Sequence, residues 1–192
     1  MTSVSSSRSL TLVALFAALL AVFGLIPKID LPFGVPITIQ TLGVMLAGCL
    51  LGPRRAFQAL ALFLVAVAFG LPLLSGGRGG FGVFVAPSSG FLVGWLFGAA
   101  VTGWVMWTLP GDTPVKIAVR AFVASFVGGI VVLYAFGIGG LMWLAHLTPW
   151  QATVAAMAFV PGDLVKCGLC ALLVHTVARG VPDWRFGPHH VA

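Results

Sequence analysis

The chain has 192 residues, 60% hydrophobic and only 7% charged, with a net charge of +6. A soluble globular domain carries about 25% charged residues, so too few charges are present to build a solvated surface, and an ordinary soluble fold is excluded. The basic residues are scattered through the chain rather than gathered in a stripe, which argues against a nucleic-acid partner, and the phosphate-cradling pattern GxxxxGK[ST] does not occur.

Six apolar runs follow one another, at 10–26, 37–51, 56–74, 87–109, 117–136 and 150–178. A membrane-crossing helix needs roughly 20 such residues. The expected fold is therefore an all-α membrane protein: one compact bundle of six transmembrane helices over residues 1–192, with short tails at 1–9 and 180–192. The first run reads as a retained helix, because it is long for a signal sequence and no A-x-A-like cleavage site follows. The second run is short for a span, so its helix tilts little or begins inside a folded loop. Punctuating segments are expected at 27–36, 52–55, 75–85, 110–116 and 137–149.

Orientation follows from the charges. With the N-terminus cytoplasmic, Arg8, Arg54, Arg55, Lys116, Arg120, Arg179 and Arg185 lie inside, and Lys28 and Arg78 lie outside. Positive charge favours the cytoplasmic side, so both termini are expected there. Trp104, Trp107 and Trp184 then sit near one membrane face, and Trp143 and Trp150 near the other, as interfacial indoles do.

Small residues recur at four-residue spacing on two helices. Ala14 with Ala18 and Ala17 with Ala21 mark the first helix, and Gly90, Gly94, Gly98 and Thr102 mark the fourth. Such stripes let helices approach closely in lipid. The fourth-helix stripe is expected to pack inside the bundle, whereas the first helix is more open to an external partner. Cys49, Cys167 and Cys170 lie in apolar segments. Cys167 and Cys170 have a CxxC spacing, but no second ligand pair accompanies them, so they read as small packing residues. No metal or cofactor is expected.

The chemistry concentrates in the last run. Asp163 and Lys166 are three positions apart on one helix face, within a span where each charge costs about 2.5–3.5 kcal/mol on insertion scales. They could merely neutralise each other, but intramembrane charges generally line a functional cavity. Pro161 and Gly162 break the helix beside them, and broken helices at membrane depth are tolerated where they line a cavity. A second candidate is the glycine-rich loop Ser75-Gly76-Gly77-Arg78-Gly79-Gly80-Phe81-Gly82 followed by Ser88, Ser89, Gly90 and Phe91. It reads as a mobile segment able to fold over a site, with Arg78 offering a planar fork to a carboxylate. Gln40 and Thr41 form the third candidate, polar at the start of a helix where they bind a ligand, cap or pack.

Together the stretches 36–42, 52–55, 76–91 and 159–166 resemble the BioY family, the substrate-binding subunits of biotin importers of the energy-coupling-factor (ECF) class. The four stretches come in family order and with family-like spacing along most of the chain. Family members often read Gly-Pro-Thr-Gly-Gly-Tyr where this chain has Ala86-Pro87-Ser88-Ser89-Gly90-Phe91, and often carry an uncharged residue where Arg78 stands. The resemblance implies a bacterial cytoplasmic-membrane protein that captures biotin near its extracellular end. Asp163, Lys166 and Arg78 would be its polar contacts, with Gln40, Ser88, Ser89, Phe81, Phe91 and Trp95 around them. Ala14, Ala18, Ala17 and Ala21 resemble the stripes with which the class docks a transmembrane coupling (T) protein carrying two ATP-binding-cassette ATPases. Whether the subunit works alone, as a homo-oligomer or only with those partners is left open. Two alternatives stand beside this reading. One is a carrier of the same architecture for another small vitamin. The other is an intramembrane hydrolase using Ser88 or Ser89 with His146 or His175, disfavoured because His146 sits in a loop and the expected topology puts His175 at the opposite membrane face from the serines, far beyond the roughly 3 Å such chemistry needs.

Overall fold

The structure, a computed structural model, describes residues 2–30, 35–181 and 183–187. Helix α1, Thr2–Gly24, already includes most of the stretch expected as an N-terminal tail. Of the expected C-terminal tail, residues 182 and 188–192 lie outside the described residues. Helix α1 buries Val13, Phe16 and Leu20 and leaves Leu10, Leu15 and Val22 exposed. Apolar side chains on both faces are what a helix between protein and lipid requires.

Two short strands, β1 at Ile29–Asp30 and β2 at Pro36–Ile37, pair antiparallel and lead into α2, Gln40–Leu51. The second apolar run thus begins in a folded loop. Its 12-residue helix is only about 18 Å long at 1.5 Å per residue. At Gly52 the backbone takes φ +77°, and a Cβ there would stand 2.2 Å from the Trp107 ring. Both constraints demand glycine, and Pro53 then opens α3, Pro53–Ala68, at a position where its missing N–H is harmless. One face of α3 buries Ala59, Leu60, Phe63 and Val67, while Phe57, Leu62 and Val65 face outward.

After a 3-10 turn at Phe81–Phe84, α4 runs Ser89–Thr108 through the centre, packed against α2, α3, α5 and α6. Helix α5, Pro114–Phe126, passes through a π-helical segment, Val127–Val132, directly into α6, Leu133–Leu144. This continuous rod has 31 residues, about 46 Å against a hydrocarbon core of about 30 Å. Residues 137–144, expected as part of a connection, are therefore helical. Their glycines serve packing rather than turning: a Cβ on Gly137 would stand 2.3 Å from the Phe91 ring, and one on Gly140 would stand 2.6 Å from Gly90 Cα. On α4, a Cβ on Gly90, Gly94 or Gly98 would meet main-chain atoms of that rod at 2.4, 2.9 and 2.7 Å, so this stripe is spent inside the bundle.

The last run is divided. Helix α7, Pro149–Met157, starts at a capping box between Thr148 and Gln151, and α8, Val160–Gly180, restarts two residues after α7 ends, with Pro161 in its first turn. The chain is mostly helical, and four helical stretches are long and apolar enough to cross a membrane: Ser7–Gly24, Ser89–Thr108, Pro114–Leu144 and Val160–Gly180. Helices α2 and α3 fall short of that length, with 12 and 16 residues.

Two polar features belong to the scaffold. Arg120, expected among the cytoplasmic-side charges, lies on α5 and is buried, donating to the carbonyls of Gly111, Met106 and Phe186. The three cysteines are free and buried, with Cys49 Sγ 3.9 Å from Cys170 Sγ and 3.7 Å from Ser125 Oγ.

Candidate substrate-binding site

The break between α7 and α8 changes the setting of the ion pair. Asp163 and Lys166 do not sit in the middle of a long helix. They occupy the first turns of α8, where the Asp163 N–H donates to Phe159 O at 2.9 Å. A carboxylate in the first turn is favoured by the positive end of the helix dipole, which lowers the cost of keeping it at this depth. Both side chains are buried, and Lys166 Nζ lies 2.7 Å from Asp163 Oδ1.

Two further elements converge on the pair. Thr41, in the first turn of α2, accepts from Lys166 Nζ at 2.8 Å and donates to Asp163 Oδ1 at 3.3 Å. Tyr134, at the start of α6, donates to Asp163 Oδ2 at 2.7 Å. An ammonium has three donors and a carboxylate about four acceptor positions. Lys166 uses two and Asp163 three in these contacts, so one donor on Lys166 and one acceptor position on Asp163 Oδ2 are left over.

Asp163 and Lys166 line one cavity. Its aromatic wall joins Phe91, Phe159 and Tyr134, with ring centroids 5.7–6.5 Å apart. Trp95 and Leu92 from α4 and Leu133 extend it, while Pro36, Ile37 and Thr38 close it from the β2 side. One large apolar surface with a few converging polar groups is the usual character of a small-molecule site.

Arg78 reaches the cavity from the glycine-rich loop. Expected as mobile, the loop is held by its own hydrogen bonds: Leu74 and Arg78 exchange main-chain bonds at 3.0 and 3.2 Å across a turn made by Gly76 and Gly77, both at positive φ, and Gly80 N donates to Val67 O at 2.8 Å. Arg78 Nε donates to Ser75 O at 3.4 Å and Nη1 to Ser88 Oγ at 3.5 Å, both long bonds. Partial burial pushes the guanidinium pKa below the ordinary arginine value, opposed by Asp30. An arginine stays charged through such a shift, and this one gains from an anionic partner.

Not every expected residue is used in the expected way. Gln40 lines the cavity, but its amide is saturated: it donates to Leu20 O and Leu73 O, each at 3.0 Å, and accepts from Ser75 N at 3.0 Å and Ser75 Oγ at 3.1 Å. Gln40 therefore ties α1, α2 and the glycine-rich loop together and fixes the wall. Ser88 lines the cavity, whereas Ser89 is buried outside its lining, among the residues that begin α4. Phe81 is 77% exposed and pairs with Phe84 on the 3-10 turn, away from the cavity. His175 lies in an apolar groove with Val115 and Phe122, near the far end of α8. Among the described residues, no group of three metal-ligating side chains occurs. Sequence reasoning missed Tyr134. Its only signal was being the single tyrosine of the chain, set inside an apolar run.

The chain is similar to known proteins over most of its length. The biotin transporter BioY of Rhizobium etli is 51% identical over 180 residues, covering 92% of this chain and 96% of that protein. Its counterpart in Rhodobacter capsulatus is 46% identical over 186 residues, covering 92% and 96%. Among solved structures, the S-component for biotin from an ECF-type ABC transporter superposes with a TM-score of 0.82 at 27% identity, covering 96% of this chain and all of that one. Residues 1–183 match the BioY family, and the chain belongs to that family.

Proposed function

We propose that the chain captures biotin and takes it up across the bacterial cytoplasmic membrane, as the substrate-binding S component of an ECF-type transporter. The observation that carries this reading is the buried Asp163–Lys166 pair, with one donor and one acceptor unspent, on the wall of an aromatic cavity. Biotin's fused ureido ring presents an N–H next to a C=O. The N–H donates to Asp163, the C=O accepts from Lys166, and the apolar ring system lies against Phe91, Trp95, Tyr134 and Phe159. Arg78, at the mouth, meets the carboxylate of the side chain. Hydrogen bonds to charged groups contribute about 1.5–3 kcal/mol each, so three of them with apolar burial support tight binding.

In this reading α2 and α3 join the four long helical stretches to give six spans, and both termini face the cytoplasm, as the basic residues favour. Energy for delivery comes from outside the chain, through a transmembrane coupling protein and two ATP-binding-cassette ATPases. Ala14 and Ala18 are exposed on α1 and offer a small-residue face to that protein. Ala17 and Ala21 are half-buried against the core and support α1 from within.

The test is equilibrium competition against labelled biotin on the purified, detergent-solubilised chain. Unlabelled biotin displaces the label, while thiamine and riboflavin leave it bound. Equal displacement by another vitamin would reassign the substrate, and absence of any biotin binding would overturn the reading.

A further inference from the structure

The end of the bundle opposite the Asp163–Lys166 cavity carries a second recess. Helix α2 starts at the cavity with Gln40 and Thr41 and ends at the recess with Leu50 and Leu51. Helix α4 follows Ser88 at the cavity and reaches the recess with Trp107, about 28 Å further along at 1.5 Å per residue. The recess has a volume of about 550 Å³.

Its lining has two parts. Leu12, Leu50, Leu51 and the half-buried indoles of Trp107 and Trp184 give an apolar floor. Around this floor stand Arg8 from α1, Arg55 from α3 and Arg185 from the C-terminal segment, with Asp183 as the lone acidic residue of the lining. Among the described residues, none of the three arginines lies within ion-pair distance of a carboxylate. Three guanidiniums from three chain segments facing one recess repel one another unless an anion comes between them. The planar guanidinium fork matches the oxygens of a phosphate. The floor adds what a free anion does not use: apolar surface for the glycerol backbone and first methylenes of a lipid, and indoles, which favour headgroup depth. Basic pockets between transmembrane helices bind anionic headgroups on the same grounds.

We propose that this recess binds the phosphate headgroup of an anionic phospholipid, held by Arg8, Arg55 and Arg185 over the leucine and tryptophan floor. One lipid bridges the beginning of α1, the beginning of α3 and the C-terminal segment, fastening the end of the bundle that the vitamin cavity does not touch.

Native mass spectrometry of the full chain tests this, with detergent micelles containing equal amounts of phosphatidylglycerol and phosphatidylcholine. Phosphatidylglycerol is retained in excess, and Arg55→Gln or Arg185→Gln lowers its retention by about fivefold each, from about 1 kcal/mol per basic residue near an anionic surface. Arg54→Gln is the control, because Arg54 is exposed and outside the recess; it leaves retention unchanged. Equal retention of the two lipids overturns the proposal, as does an Arg54→Gln loss matching that of Arg55→Gln. Displacement of phosphatidylglycerol by millimolar inorganic phosphate also overturns it, assigning the recess to a soluble phosphate compound. If Arg55→Gln fails to fold, as judged by gel filtration, Arg185→Gln on the exposed C-terminal segment gives the same reading.

Discussion

Lys166 and Arg120 are both cations buried in the bundle, 8% and 7% exposed, and they are neutralised in opposite ways. Arg120 gives three of its donors to main-chain carbonyls and keeps a buried Nε without a partner, and its nearest carboxylate, Asp112, lies 3.9 Å away and fully in solvent. Those acceptors belong to the end of α4, the α4–α5 connection and the C-terminal segment, so Arg120 staples chain to chain. Lys166 instead faces a buried carboxylate at 2.7 Å on the wall of a cavity, and the pair retains bonding capacity. Buried charge alone therefore does not mark a site. What sets Lys166 apart is a buried counter-charge with spare bonding capacity on an apolar cavity wall, whereas the counter-charge nearest Arg120 stands in solvent.

Substitutions can break or sharpen this contrast. The largest effect on ligand affinity is expected at Asp163→Asn, which strips the counter-charge from Lys166 and reverses one acceptor into a donor. Breaking a buried, hydrogen-bonded charge pair costs about 2–5 kcal/mol, so labelled-biotin affinity should fall by about 30-fold or more. A change below about threefold would place the pair in the scaffold beside Arg120. Tyr134→Phe removes one hydrogen bond to a charged acceptor, worth about 1.5–3 kcal/mol, and should weaken biotin by about tenfold with its aromatic wall intact. An unchanged affinity would show that the phenol only anchors α6 to α8. The smallest effect on affinity is expected at Arg120→Gln. Its carbonyl partners lose donors at about 1–3 kcal/mol each, so thermal unfolding moves down by several degrees, while biotin affinity of the folded protein stays within about twofold. A larger loss of affinity would couple the two ends of the bundle.

Much of the site was legible because charge in an apolar run is conspicuous. Asp163, Lys166 and the Pro161–Gly162 break stood out from their neighbours, and the structure brings the two charges to one cavity with Arg78, Ser88 and Phe91. Tyr134 and Thr41 were less visible, since a hydroxyl is cheap to place in a helix and signals nothing until its partner is known. Gln40 looked like a ligand contact from its polarity. Only its four hydrogen bonds, to Leu20 on one segment and to Leu73 and Ser75 on another, show it to be spent. Glycine misled in both directions: at 137–140 it signalled a connection where it packs helices together, and at 76–80 it signalled a mobile loop where it forms a tied turn.

By itself the sequence determined that the chain is a helical membrane protein, where its apolar segments lie and which two charges needed an explanation. Those properties follow from transfer free energy, which is summed residue by residue along the chain. Tertiary structure decided which polar groups were already satisfied, which face of α1 stayed open and where the cavity lay. Hydrogen-bond saturation and empty space depend on partners more than a hundred positions away, such as Thr41 for Lys166, and no local pattern records them.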